Sequence, residues 1–124
     1  MGFRWVADRW PGEGPLGGIV TGLAAVRVPI AVVCACDLPA LDGPVVAALV
    51  ETGRRSQGAL VAVATDERGV HLAGWWAATA AGPLAALRAA GTPSYREAVG
   101  RLGAVAVTVP AVAVRNVNRP DDLA

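Results

Sequence analysis

Three apolar runs stand out in this chain: Ile30–Cys36, Ala59–Val63 and Ala104–Val109. Elsewhere its hydrophobic positions are broken every few residues by glycine, proline or charge. Short continuous apolar runs bounded by turn residues are typical of strands buried on both faces, the kind that parallel sheets contain. The run Ile30–Cys36, entered through Pro29, is therefore predicted to be a fully buried strand at the centre of the sheet. Val70–Ala77 is predicted to be extended, Arg4–Ala7 to be a short strand ending at Asp8, and Val112–Val114 to be a last short strand. Helices fill the intervals. Ile19–Val26 carries Ile19, Leu23 and Val26 along one stripe. Asp42 caps a helix with Pro44 in its first turn that ends near Gly53. Ala80–Ala90 stops at Gly91, Tyr95–Leu102 is shorter, and Asn118 caps a terminal turn containing Pro120, Asp121 and Asp122.

Strands alternating with helices at this spacing imply βαβ units. The predicted fold class is α/β: a three-layer αβα, Rossmann-like domain over residues 1–124 with a mostly parallel sheet and helices on both faces. An apolar fraction of 54% in 124 residues is enough for a packed core. No apolar stretch approaches the length of a membrane span, and Met1–Trp5 holds no signal-peptide core, so no membrane association and a cytoplasmic location are expected. The formal charge is +1 and the eleven basic residues, all arginine, are scattered, which argues against a nucleic-acid partner. Cys34 and Cys36 are the only cysteines, too few for a zinc cluster, and read as small buried apolar residues.

Open α/β sheets bind ligands outside the carboxyl ends of their strands. Asp37 directly follows the most hydrophobic strand, with Pro39 behind it. A carboxylate held at such a rim suits a hard cation such as Mg²⁺, which takes one or two carboxylates plus substrate phosphates; a plain turn-forming aspartate is the competing reading. The glycine-rich segment Gly12–Gly18 feeds a helix N-terminus, where backbone N–H groups can approach a ligand, although such a turn is more often only a connection. Asn116 and Asn118, at alternate positions, can face one polar ligand, or Asn118 can simply be an N-cap. His71, the only histidine, reads as a structural residue. The adjacent Trp75 and Trp76 are expected to point to opposite faces, at least one into the core, and Trp5 and Trp10 to cover surface near the N-terminus.

Three motifs, in order, resemble the molybdenum cofactor guanylyltransferase (MobA-like) family: Gly14-Pro15-Leu16-Gly17-Gly18-Ile19, Cys36-Asp37-Leu38-Pro39 and Asn116-Val117-Asn118-Arg119-Pro120-Asp121-Asp122-Leu123. Val6-Ala7-Asp8 is similar to the family's strand and aspartate before the loop, and His71-Leu72-Ala73-Gly74 matches more loosely, with Leu72 where the family usually has proline. The resemblance implies a nucleotidyltransferase fold and Mg²⁺-dependent transfer of GMP from GTP to the phosphate of molybdopterin, releasing pyrophosphate. Under it, Asp37 is the magnesium-binding catalytic aspartate, and Asp8 with Gly14, Pro15, Leu16, Gly17 and Gly18 contacts the nucleotide. Asn116 and Asn118 contact the pterin. The family's opening strand, its Leu-Ala-Gly-Gly-x-Ser-x-Arg-Met-Gly loop and a following lysine have no counterpart, so the resemblance implies an N-terminally truncated domain that lacks a whole βαβ unit. The alternatives are an inactive relative that associates with a partner or another copy through an exposed sheet edge, or a transferase with another base or acceptor.

Overall fold

The computed structural model describes residues 6–36, 38, 41–91 and 94–115. Its elements are α1 (Pro15–Ala25), β1 (Ile30–Cys34), α2 (Gly43–Arg55), β2 (Val61–Asp66), β3 (Gly69–Ala77), α3 (Ala81–Ala89), α4 (Tyr95–Arg101) and β4 (Val105–Thr108), with 3-10 turns at Ala78–Ala80 and Ala111–Val114. The sheet order is β1-β3-β2-β4. β2 and β4 pair in parallel, while β3 runs antiparallel to both of its neighbours. Three strands thus share one direction and β3 opposes them.

A tight turn explains the reversal. β2 ends at Asp66 and β3 begins at Gly69, so only Glu67 and Arg68 join them. The Asp66 side chain accepts the Arg68 backbone N–H at 2.9 Å, and Gly69 adopts φ 112°, which a side chain would disfavour. The hairpin sets β3 beside β2, and β1 then pairs with the far edge of β3, Val32 opposite Trp75 and Cys34 opposite Ala73.

Two expectations fail at β1. Among the described residues it is a terminal strand, not a central one, and it is not fully buried: Ile30 is 37% and Val32 39% exposed. Cys34 and Cys36 are exposed rather than buried. One face of β1 is covered, since Ala31 and Val33 pack on the core cluster built from α1, α3 and α4, while Ile30, Val32 and Cys34 turn to the other face beyond the reach of α2. Two local expectations also change. Val112–Val114 lies in a 3-10 turn, and Val6 and Ala7 form no strand; Arg4 and Trp5 lie outside the described residues.

The core has two halves, one on each side of the sheet. Val61, Val63 and Trp76 meet Leu16, Ile19, Val20 and Leu23 of α1, Leu84 of α3 and Val99 of α4. Ala62, Ala64, Ala73 and Trp75 meet Val45 and Leu49 of α2 and Ala113 and Val114 of the last turn. Strand alternation produces this division, and because helices cover both faces, both tryptophans are buried. Asp42 caps α2 as expected, accepting the Val45 N–H at 3.1 Å, with Pro44 in the first turn. Asp42→Ala should lower the stability of the protein by about 1 kcal/mol, read as a shifted midpoint in urea with an unchanged slope.

Candidate functional site at the carboxyl ends of the strands

Only residues 26–29 connect α1 to β1, so the end of α1 lies near the start of β1 and its N-terminus points toward the carboxyl ends of the strands. The helix begins earlier than its apolar stripe suggests, at Pro15, because a proline at the first helical position has the right φ and lacks only an N–H that would go unpaired. The glycine-rich segment therefore divides. Gly12 and Gly14, with φ 79° and 88°, make the turn; Gly17 and Gly18 lie in the first turns of α1. No side chain caps this helix.

Asp8 stands against that helix end. Its Oδ1 accepts the Trp10 N–H at 2.9 Å, and a Cβ built on Gly17 or Gly18 would lie 3.5 or 3.7 Å from its carboxylate oxygens. The same Cβ on Gly17 would touch Trp10 at 3.2 Å, so Gly17 is the residue that lets the entering chain lie flat on α1. Thr21 secures the contact, donating to the Gly17 carbonyl at 2.8 Å and accepting the Arg9 N–H at 3.3 Å. Arg88 of α3 closes the other side, 2.9 Å from Glu13 and 3.9 Å above the centre of the Trp10 ring. The structure thus sets Asp8 against Gly17 and Gly18, while Gly14 and Pro15 open the helix and Leu16 turns into the core. A carboxylate at a helix N-terminus is electrostatically favoured. It also makes this corner an acceptor of hydrogen bonds, unsuited to a phosphate.

Asp37, Asn116 and Asn118 lie outside the described residues. Their chain neighbours are placed: Cys36 continues the exposed end of β1, Leu38 is buried beside α2, and Ala113–Val114 leads toward Asn116. A cleft of about 230 Å³ opens at the same end, between the N-terminus of α2 (Asp42, Pro44, Val45, Ala48) and the end of β4 with the residues after it (Thr108, Val109, Pro110, Val112).

The sequence reading left one pair out. His71 Nε2 lies 2.7 Å from Asp66 Oδ1 at the carboxyl end of β2. The residues Asp66-Glu67-Arg68-Gly69 between two extended runs mark a hairpin; its register pairs Asp66 with Gly69, and His71, two residues further on the same face, reaches the carboxylate diagonally. The hydrogen bond from His71 holds the Asp66 carboxyl below its ordinary value of 3.8, outweighing the burial that acts to raise it. A lowered carboxyl pKa contributes stability that is complete above the ordinary value and disappears as pH falls through the lowered one. Wild type and Asp66→Asn should therefore differ in urea midpoint at neutral pH and converge in acid below pH 3.8. Equal midpoints at neutral pH would show that the pair adds nothing to stability.

A model of the MobA-like NTP transferase domain matches residues 1–107. The chain belongs to this family. It is 46% identical over 48 residues to a probable molybdenum cofactor guanylyltransferase of Chloroflexus aggregans, covering 39% of this chain and 23% of that protein. It is 49% identical over 43 residues to the molybdenum cofactor guanylyltransferase of Pseudomonas fluorescens, covering 35% and 22%. Among solved structures, an Aquifex aeolicus protein superposes with TM-score 0.77 at 19% identity, over 92% of this chain and 61% of that one. Molybdopterin-guanine dinucleotide biosynthesis protein A of Archaeoglobus fulgidus superposes with TM-score 0.75 at 25% identity, over 94% and 62%. The chain thus spans about three-fifths of the length of these solved relatives and under a quarter of the curated ones. No helix among the described residues is long and apolar enough to cross a membrane.

Proposed function

We propose that this chain carries the nucleotide- and acceptor-binding part of a guanylyltransferase that moves GMP from GTP to molybdopterin. In that reaction an oxygen of the acceptor phosphate bonds to the α-phosphorus of GTP, the bond to the β-phosphate oxygen breaks, and pyrophosphate leaves. The observation that carries this reading is the Asp8 carboxylate seated on Gly17 and Gly18 at the N-terminus of α1. A carboxylate that accepts hydrogen bonds, beside a helix start built of glycines, suits the N–H or O–H donors of a guanosine.

Asp37 is the residue assigned to Mg²⁺, and its donor chemistry fits: carboxylate oxygens are hard ligands, and the neighbouring Cys34 and Cys36 sulfurs are soft. When bound, the cation neutralises charge on the phosphate oxygens as the leaving group departs. Asn116 and Asn118 offer amide donors and acceptors to the pterin. In the chain they follow the residues that line the cleft, Thr108 to Ala113, which supports an acceptor bound at this end of the sheet.

Asp8→Ala should weaken GTP binding about tenfold or more, because a hydrogen bond to a charged group contributes roughly 1.5–3 kcal/mol. Titration calorimetry against GTP, ATP and CTP provides the check. Equal affinity of wild type and Asp8→Ala for GTP would remove Asp8 from the site, and a preference for CTP would move the reading to another nucleotide.

A further inference from the structure

Asp66 and His71 form a structured pair that the nucleotide reading leaves unused. The Asp66 side chain is only 4% exposed and is held by three groups: His71 Nε2 at 2.7 Å, the Arg68 N–H at 2.9 Å, and the Arg68 guanidinium at 3.4 Å. A carboxylate on Nε2 selects the tautomer with its proton there, which leaves Nδ1 as the variable nitrogen. Among the described residues nothing pairs with Nδ1, and it is not one of the buried polar atoms sealed from solvent. The ring is therefore fixed at Nε2, and its side chain keeps 15% of its surface exposed. Tyr95 steadies its backbone, donating from its hydroxyl to the His71 carbonyl at 3.0 Å, and burial pushes that phenol's pKa up so that it stays a donor.

The hairpin that carries the pair also holds two guanidinium groups. Arg68 is largely exposed, and the Arg96 guanidinium lies 3.6 Å from where a Cβ on Gly69 would stand, so two arginines from two elements flank the hairpin. Arg96 has no carboxylate partner among the described residues. The opposing charges are Asp66 itself and the exposed Glu67 at the tip of the turn. The place is also suitable. Ala35 donates to the Leu72 carbonyl at 2.8 Å one step beyond the Cys34–Ala73 pair, so the chain leaving β1 is held to the residue next to His71.

We propose that His71, oriented by Asp66 and flanked by Arg68 and Arg96, binds a phosphate group of a substrate, with Nδ1–H donating to a phosphoryl oxygen. With Nε2–H on Asp66 and Nδ1–H on the phosphate, both ring nitrogens donate, so phosphate binding is coupled to uptake of one proton by the ring. Binding of phosphate as such stands apart from the guanylyl reading; its assignment to the acceptor's phosphate monoester rests on that reading.

His71 is the only histidine in the chain, so a single pair of imidazole nitrogen resonances reports on the site. With phenyl phosphate at constant ionic strength, these resonances should shift saturably, and the His71 titration midpoint should rise by about one pH unit, equivalent to roughly tenfold tighter binding to the protonated ring. Arg68→Gln and Arg96→Gln, both at the surface, should each weaken the phosphate effect while leaving the Nε2–H signature unchanged. No saturable shift with phenyl phosphate, or an undiminished one in both arginine variants, would overturn the proposal. Mg²⁺-GTP separates the sources: if it displaces phenyl phosphate from His71, the bound group is a nucleotide phosphate, and if both bind together, it is the acceptor's. Two results separate this site from the transferase reading. Phosphate binding at His71 without guanylyl transfer leaves the site standing and the enzyme reading fallen. Transfer by His71→Gln with an unchanged acceptor KM does the reverse.

Discussion

Asp37→Ala is expected to reduce guanylyl transfer by at least a hundredfold while leaving the urea midpoint within about 0.5 kcal/mol of wild type. The expectation follows from the reaction rather than from the fold. Nucleotidyl transfer asks little covalent chemistry of the protein; its barrier lies in bringing anionic groups together and stabilising the charge that moves to the leaving pyrophosphate. The residue that holds the cation therefore supplies a large part of the rate. Asp37 follows Cys36, which is exposed two residues beyond the end of β1. The assay is pyrophosphate release with GTP, Mg²⁺ and molybdopterin, in a version of the protein as long as its solved relatives. Wild-type turnover in Asp37→Ala would end the metal assignment. A lost fold would appear separately, in the urea midpoint.

Two glycine-to-alanine substitutions should move stability in opposite directions. In a helix, alanine is favoured over glycine by roughly 0.5–1 kcal/mol. At Gly22, exposed on α1 with open space where a Cβ would stand, that gain should appear in full. At Gly53, in α2, a Cβ would overlap the indole of Trp75, which is itself buried. Trp75 is buried and lies between Val32 of β1 and Ala62 of β2 in the sheet register, so the indole must shift within a packed layer to admit the methyl group. Overpacking of this kind costs about 1–3 kcal/mol, so Gly53→Ala should be destabilising despite its better helix propensity. Urea unfolding of both variants tests this, and a stabilised Gly53→Ala would mean that α2 can move away from the sheet.

The apolar pattern of the sequence determined most of the elements and the layered class. Ala59–Val63 and Ala104–Val109 overlap β2 and β4, and Asp42 with Pro44 marks the start of α2. These readings succeeded because caps, proline and continuous apolarity act within a few residues of chain. Membership of the family was legible from short motifs, of which Gly14–Ile19 and Cys36–Pro39 lie within the matched residues 1–107. What only the tertiary structure decided depends on neighbours distant in sequence. Apolarity alone could not say that β3 would turn back between β1 and β2, leaving Ile30, Val32 and Cys34 open on one face. Nor could it say that both Trp75 and Trp76 would be buried, since that requires a helix on each side of the sheet. The same is true of His71. It reads as an isolated histidine along the chain, and becomes half of a pair only when a two-residue turn brings Asp66 to its ring. Hydrogen-bond partners across a hairpin are set by register, and register is a property of two strands together.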